Sequence, residues 1–164
     1  MTKRLPAIAG GRTRRMAVID TVRSILETKG RQVWHITPSA TVYEAVAEMA
    51  KRGVGALPVL TRNRLVGMIS ERDYARKVIL EGRASRETLV RDIMTPAPIS
   101  VSPGDTLDHC LRLMTQRRIR HLPVVEHKRV VGILSIGDLV KAVIDTQAFT
   151  IDQLQTYIVA GYPS

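Results

Sequence analysis

Two short stretches of the sequence place a hydroxyl and a carboxylate three residues apart. They run from Gly67 to Asp73 and from Gly132 to Asp138, and in each a Ser follows the Gly by three residues and precedes the Asp by three. Each Asp opens a helical pattern, so both polar groups fall in the first turn of a helix. Because the first N–H groups of a helix lack backbone partners and carry partial positive charge, this position suits an anion such as phosphate. The pattern therefore indicates two candidate binding sites.

The same pattern also has a purely structural interpretation. Ser-x-x-Asp is close to the capping box, in which two side chains close a helix end by bonding each other's backbone N–H groups. A single motif of this kind favours capping. Two motifs in register, 65 residues apart and each preceded by the same Gly, favour at least one binding site.

Other residues that could do chemistry give no case for catalysis. The four histidines are scattered, without metal-ligand spacing to one another or to Cys110. Cys110 aligns with Ala45 on an apolar helix face and is expected in the core. No phosphate-binding Gly-rich loop or nucleophile elbow is present. The symmetric placement of Asp73 and Asp138 favours two equivalent binding roles over an acid/base pair, so we expect no enzyme.

The net charge of +10 is concentrated at the N-terminus. Residues 1–32 carry +6, residues 33–96 carry +3 and residues 97–164 carry +1. Such an arm could touch nucleic acid or an acidic membrane, be cleaved as an organellar presequence, or remain a solvated tail. No apolar run is long enough to span a bilayer, and the lone Cys110 cannot form an intrachain disulfide, so we expect a cytoplasmic protein.

An internal repeat positions the two motifs. Shifting residues 33–80 by 65 positions gives 14 identities in 48, far above chance, including Leu-Pro-Val and both Ser-x-x-Asp motifs. Each copy predicts strand, helix, strand, strand and helix. In the first copy the predicted strand 33–36 is followed by a helix capped by Thr41 and Glu44 and ended by Gly53. Strands 56–60 and 65–69 and a helix over 71–80 follow.

A unit of this size is too small to bury its own apolar faces well, so two copies should pack together about a pseudo-twofold axis in an α+β fold. We expect a basic arm and amphipathic helix in residues 1–30, with the helix over 14–28 after an unstructured start. Two units follow, in residues 31–90 and 91–146. A short helix over 151–160 lies in the remaining segment, 147–164. Trp34 is expected to be buried against the N-terminal helix.

The tandem repeat resembles a pair of CBS domains, known as a Bateman module. The resemblance rests on Leu-Pro-Val followed by Gly-x-x-Ser-x-x-Asp in both copies, and on Asp92-Ile93-Met94-Thr95-Pro96 before the second copy. It implies a stand-alone regulatory or signalling module without catalytic activity. It also implies an adenosine-containing ligand (AMP, ADP, ATP or NAD) in clefts between the units, and a homodimer or an unknown protein target that responds to occupancy.

The resemblance implies particular ligand contacts. The hydroxyls of Ser70 and Ser135 would reach phosphate, and the carboxylates of Asp73 and Asp138 would accept from a ribose. The remaining nucleotide-binding candidates are Thr37, Gly55, Ala56, Arg72, Ser102, Ile119, Arg120 and His121.

The two half-sites are not equivalent. The second copy has Arg118-Ile119-Arg120-His121 before its Leu-Pro, where the first has Gly53-Val54-Gly55-Ala56. Arg120 and His121 are the expected phosphate contacts, whereas Gly55 and Ala56 leave room for an adenine. We expect the second motif to face the basic segment and to prefer a phosphate-rich nucleotide.

Two other classes of function remain open. A nucleic-acid-binding protein would use the basic arm and keep the repeat as a dimerisation scaffold, but no recognition helix or aromatic stacking surface supports it, so nucleic acid is not an expected partner. An interaction adaptor would retain clefts that bind nothing.

Overall fold

The computed structural model describes residues 20–160. The predicted unstructured start, the basic arm, the beginning of the helix predicted over 14–28 and the tail from Gly161 lie outside these residues. The helices are α1 (Val22–Lys29), α2 (Val42–Arg52), α3 (Glu71–Tyr74), α4 (Val90–Ile93), α5 (Leu107–Arg117) and α6 (Ile136–Ala160). The strands are β1 (Ala56–Thr61), β2 (Arg64–Ser70), β3 (Thr95–Pro96), β4 (His121–Glu126) and β5 (Arg129–Ser135).

The first repeat unit folds largely as its pattern predicts. Thr41 and Glu44 form the expected capping box at the start of α2, and Gly53 ends that helix in the left-handed conformation. β1 and β2 form an antiparallel hairpin whose turn residues Arg62 and Asn63 have positive φ. The predicted strand 33–36 is not formed: Ile36 makes only a single parallel bridge to Val59 of β1, and the residues before it do not extend the pairing.

The second unit repeats this arrangement. Thr106 caps α5 through its side chain, and β4 pairs with β5 in the register of β1 and β2, shifted by 65 residues. Val101 bridges to Val124 as Ile36 does to Val59. The fold is α+β with two units, as expected.

The helices after the two motifs differ. The first begins as α3 and continues through a π-helical turn, Ala75–Ile79. The second is one continuous helix of 25 residues, α6. The expectation of a separate short helix over 151–160 is therefore wrong, because no Gly or Pro interrupts the chain between Asp138 and Ala160.

The segment that precedes each unit packs on the other unit. Val22 N–H donates to the Asp105 carbonyl and Arg23 N–H to the Pro103 carbonyl, so α1 lies on the second unit. In the same pattern, the N–H groups of residues 90 and 91 donate to the carbonyls of residues 40 and 38 on the first unit. The two segments α1 and α4 are therefore crossed: each precedes one unit in the chain and packs on the other.

Each crossed segment completes a hydrophobic core. Val22, Ile25 and Leu26 are buried in the core of the second unit, and Val90 and Ile93 in that of the first. The motif glycines accommodate this packing: a methyl group at Gly132 would lie 2.6 Å from Leu26 Cδ2, and one at Gly67 would lie 2.5 Å from Met94 Sδ. A side chain at either motif Gly would therefore clash with the crossed segment that packs directly against it.

Trp34 does not pack where the sequence led us to expect. It borders the core of the first unit rather than α1, and its ring is stacked by the Arg52 guanidinium at 3.6 Å. Arg52 is also held by Glu48 at 2.7 Å. Of the helices formed by residues 20–160, none has the length and apolar content to cross a membrane.

Candidate functional site

Two clefts lie between the units and share one wall. Gly55, Ala56 and His121 line both. The first cleft has a volume of about 380 Å³ and the second about 480 Å³, within the range of small-molecule sites. Their shared wall is formed where the start of β1 meets the start of β4.

The first cleft combines cations with an apolar surface. Arg72, Arg118 and Arg120 are among its lining residues, and all three are exposed. Arg72 Nη1 donates to the Arg118 carbonyl oxygen at 2.9 Å, which holds this guanidinium across the junction of the units. The apolar lining comes from Ala56, Met68, Ala97, Pro98, Ile99 and Ile119. The arrangement fits a ligand with an anionic end and an apolar body.

The first motif is a complete capping box. The N–H and Oγ of Ser70 both donate to Asp73 Oδ2, at 2.9 and 3.0 Å, and Asp73 N–H donates back to Ser70 Oγ at 3.3 Å. Asp73 Oδ1 is paired with Lys77 at 2.9 Å. The capping interpretation is therefore confirmed, and both side chains also line the first cleft.

The second motif has the same cap and an additional cation. Ser135 N–H donates to Asp138 Oδ2 at 2.8 Å, and Asp138 N–H donates to Ser135 Oγ at 3.1 Å. Lys29 Nζ lies 2.6 Å from the same carboxylate oxygen and 2.7 Å from the Ile133 carbonyl oxygen. Burial acts to raise the pKa of Asp138, but the hydrogen bonds from Lys29 and Ser135 outweigh it and hold the pKa below its ordinary value. The carboxylate is therefore ionised and already paired.

His121 stands between the two clefts. Its imidazole lies against Gly55, where an added methyl group would be 3.4 Å from His121 Cε1. Burial lowers the pKa of His121, and the positive charges of Lys29 and Arg120 lower it further, against the opposing effect of Asp138 and Glu71. The imidazole is therefore neutral at pH 7 and can offer one donor and one acceptor.

Most predicted contact residues line a cleft. Those of the first cleft are Gly55, Ala56, Ser70, Arg72, Asp73, Ile119, Arg120 and His121. Those of the second are Gly55, Ala56, His121, Ser135 and Asp138.

Thr37 and Ser102 are not brought to either cleft formed by the described residues. Their hydroxyls serve local turns instead. Ser102 Oγ donates to Asp105 Oδ2 at 3.1 Å, and Thr37 Oγ1 lies 3.4 Å from Ser39 Oγ. Both residues are exposed at the far ends of the predicted first strands, which explains their distance from the motifs.

The expected pairing of the second motif with the basic segment is wrong for the arginines of that segment, whereas His121 lines both clefts. Arg118 and Arg120 line the cleft that contains the first motif, whereas the second motif shares its cleft with Gly53, Val54 and Trp34. Each motif is joined by a backbone hydrogen bond to the segment that precedes its own hairpin, from Glu71 N–H to the Gly55 carbonyl and from Ile136 N–H to the Arg120 carbonyl. Arg118 and Arg120 nevertheless line the cleft of the other motif. Of the two clefts, the first is therefore the one lined by arginines.

Sequence reasoning missed the residues contributed by the two crossed segments and by the chain that directly follows each of them. Lys29, Gly30 and Gln32 line the second cleft, and residues 95 and 97–99 line the first. A second internal repeat, with a spacing of 68 residues, was the available signal: Val-Arg-Ser-Ile at 22–25 matches Val-Arg-Asp-Ile at 90–93. No three His, Cys, Asp or Glu side chains of residues 20–160 form a group able to hold a metal ion.

Comparison with known proteins accounts for this architecture. The sequence matches the CBS domain family twice, over residues 22–79 and 90–145. The chain belongs to the CBS-domain family. Both matched ranges begin at the crossed segments, so the family includes the segment that precedes each unit here.

Similar CBS proteins are found in plants and bacteria. The mitochondrial CBS domain-containing protein CBSX3 of Arabidopsis thaliana is 40% identical over 152 residues, which cover 87% of this chain and 73% of the relative. A structure of a CBS-domain protein from Burkholderia ambifaria MC40-6 is 45% identical, with a TM-score of 0.74, over 77% of this chain and 96% of the other. The structure of CBSX2 in complex with AMP is 27% identical, with a TM-score of 0.63, over 76% and 97% of the two chains. This chain is a CBS-pair regulatory module.

Proposed function

We propose that this CBS pair binds an adenine nucleotide in its first cleft and acts as a non-catalytic sensor of that nucleotide. The observation that carries the proposal is the convergence of Arg72, Arg118 and Arg120 on a cleft with a largely apolar wall. An adenine would lie against the apolar wall and a phosphate against the guanidinium groups, which bind phosphate through paired N–H donors. The AMP bound by the similar protein CBSX2 supports this ligand class.

The first motif would hold the ribose. Asp73 Oδ2 already accepts two hydrogen bonds from Ser70, and Oδ1 is paired with Lys77. Because a carboxylate oxygen has two lone pairs, Oδ1 can accept one further bond from a sugar hydroxyl. AMP, ADP, ATP and NAD share the adenosine and phosphate that these groups would recognise. Three arginines favour a ligand with at least one phosphate over free adenosine.

Occupancy would be transmitted through a homodimer. Six exposed apolar residues of α6 recur along one side of the helix, at Ile136, Val140, Ile144, Ile151, Leu154 and Ile158. At 100° per residue they fall within roughly 80° of each other. Ile144, Ile151 and Ile158 follow a seven-residue spacing with Leu154 between them, the pattern that packs two like helices as a coiled coil. A second copy of α6 is therefore the proposed occupant of this face.

The compartment proposed for this sensor is the reducing cytosol, on the evidence of its single thiol. Cys110 is fully buried, and burial raises its pKa to about 11. A neutral, buried thiol of this kind serves the core and needs no disulfide partner.

A calorimetric titration of the full chain with AMP, ADP, ATP and NAD tests the nucleotide proposal. Arg120→Ala removes one guanidinium from the cleft, and because hydrogen bonds to charged groups contribute about 1.5–3 kcal/mol, we expect the dissociation constant to rise roughly ten- to hundredfold. Arg112→Ala is the matched control, since Arg112 pairs with Asp108 on the exposed face of α5. Absence of binding by all four nucleotides at submillimolar concentration would contradict the proposal.

A further inference from the structure

The two clefts differ in what faces the motif carboxylate. Lys29 and Asp138 both line the second cleft, and the Lys29 ammonium lies 2.6 Å from Asp138 Oδ2. In the first, the cation bound to Asp73 is Lys77, which stands four residues along the same helical segment and does not line the cleft. Ala97, which follows the crossed segment of the first unit, lines the cleft without a polar side-chain group. Only the carboxylate of the second motif is thus covered by a cation from within its cleft.

This difference follows from where the crossed segments diverge. Leu26 and Met94 occupy equivalent positions on the motif glycines. After Met94 the chain forms β3, which pairs with β2 and places Thr95 opposite Met68. After Leu26 the chain stays helical to Lys29.

The Lys29 side chain therefore contacts the edge of β5, whereas in the other unit β3 pairs with the equivalent edge of β2. Ile133 is the repeat counterpart of Met68, but within residues 20–160 β5 pairs only with β4. The Lys29 ammonium donates to the Ile133 carbonyl at this strand edge and to Asp138 at once. The side chain is therefore anchored at two points, one on β5 and one in the first turn of α6.

Each motif carboxylate is paired with one lysine, but only Lys29 lines the cleft of its carboxylate, so a ribose hydroxyl that reaches Asp138 Oδ2 from the second cleft must compete with this ammonium. Ser135 N–H and Lys29 Nζ converge on the same oxygen, Oδ2. A sugar hydroxyl would replace an ammonium–carboxylate pair, in which both partners are charged, with a hydrogen bond in which only the carboxylate is charged. The Asp138 side chain is 21% exposed and that of Lys29 is 37% exposed, so the pair is partly screened by water. The exchange is unfavourable for the ligand.

We propose that Lys29 is the specificity-determining residue that confines nucleotide binding to the first cleft by occupying Asp138 in the second. The inference rests on the proposed function for the nature of the ligand. It assigns to α1 a role in the site that goes beyond completing the core of the second unit.

The experiment counts bound AMP per chain and locates the second molecule. Calorimetric stoichiometry with AMP should give one molecule for the wild type and two for Lys29→Ala. Trp34 is the only tryptophan of the sequence and lines the second cleft but not the first. Its fluorescence should therefore remain unchanged when AMP binds the wild type and change when AMP binds Lys29→Ala.

Three further variants sharpen the test. Lys29→Arg keeps the cation and should still bind one AMP. Lys77→Ala removes the ion pair of Asp73 outside the cleft and should also leave the stoichiometry at one. Lys29→Met retains the aliphatic chain and replaces Lys29→Ala if circular dichroism shows that the alanine variant has lost its fold.

The outcomes separate this inference from the proposed function. A folded Lys29→Ala that binds one AMP and leaves Trp34 unchanged overturns the role of Lys29. A wild type that binds two AMP molecules, one of which Lys29→Ala loses, also overturns it, because Lys29 would then contact the ligand. Failure of wild type and variant alike to bind AMP, ADP, ATP or NAD overturns the proposed function and this inference with it.

Discussion

His121 lines both clefts, and its charge state depends on the packing around it. In the folded chain burial, Lys29 and Arg120 lower its pKa below the ordinary value of 6.5. The unfolded chain therefore takes up a proton at a higher pH than the folded chain does. The stability contributed by the neutral imidazole is complete above pH 6.5 and is lost as the pH falls from there toward the folded-state pKa.

The free energy of unfolding should consequently fall between pH 7.5 and pH 5.5 by more in the wild type than in His121→Gln, which cannot take up this proton. Urea unfolding followed by circular dichroism at the two pH values measures the difference. His109→Gln changes an exposed side chain of α5 and should follow the wild type. Equal pH dependence in the wild type and His121→Gln would show that the imidazole is not held neutral by the fold.

At the scale of single residues, the sequence predicted the composition of the site better than its pairing. Ser70, Asp73, Ser135 and Asp138 are found at the clefts because a capped helix must follow each hairpin. Which cleft Arg120 enters depends on how one unit turns against the other. No periodicity within a single unit encodes that rotation.

The exposed side of α6 is the feature at the scale of elements that most needs a partner. Leu139 and Ala142 face the core of their own unit, whereas Ile144, Ile151 and Ile158 are all more than half exposed, at 58%, 56% and 63%. The seven-residue spacing lies on the side of the helix opposite that core. A dimer through α6 would bury it.

We expect Ile151→Asp to convert a dimer into a monomer, because two carboxylates would be placed in the apolar seam between helices. Sedimentation equilibrium across a hundredfold range of protein concentration measures this change. Thr156→Asp introduces the same charge at an exposed position on the opposite side of α6, and should leave the dimer intact. Identical masses for the wild type and Ile151→Asp would mean that α6 is not the interface.

The order of helices and strands was predictable, but the strand predicted over 33–36 and the separate helix predicted over 151–160 are not formed. The repeat and its turn residues define α2, the two hairpins and α5, since apolar periodicity and the residues that end helices agree there. The segment 33–36 has the composition of a strand but finds a single bridge at the edge of β1. Strand formation depends on a partner in register, which local sequence does not supply.

At the scale of the whole molecule, the crossed segments couple the two cores. The core of the second unit contains Val22, Ile25 and Leu26, which precede the first unit in the chain, and that of the first contains Val90 and Ile93, which precede the second. Neither unit can lose its core without releasing a segment covalently joined to the other. Unfolding should therefore be a single transition.

Leu26→Ala tests this coupling, because it removes a fully buried side chain from the second unit. We expect a loss of about 2–5 kcal/mol in the free energy of unfolding. Trp34 reports on the first unit and circular dichroism on the whole chain, so both urea transitions should move to the same lower midpoint. Glu27→Ala, at an exposed position of α1, is the control. A Trp34 transition that stays in place while the circular dichroism transition moves would show that the units unfold separately.

The crossing itself lay beyond what the repeat predicted. Two segments of nearly the same sequence, 22–25 and 90–93, each fit the groove beside a motif glycine, and both units offer that groove. The local sequence pattern predicts that a segment of this kind packs beside each motif glycine. The lengths of the connections and the packing of the units decide which segment fills which.

The crossing also has a consequence for the order in which the chain is synthesised. The first unit is built from one continuous stretch, residues 36–93, so every residue of its core leaves the ribosome in succession. The second unit joins α1, which is made before the first unit, to β4, β5 and α6, which are made after it. Since domains of a growing chain generally fold N-terminal first, α1 must keep Leu26 unburied through the translation of more than a hundred residues, until Leu134 and Leu139 emerge to receive it.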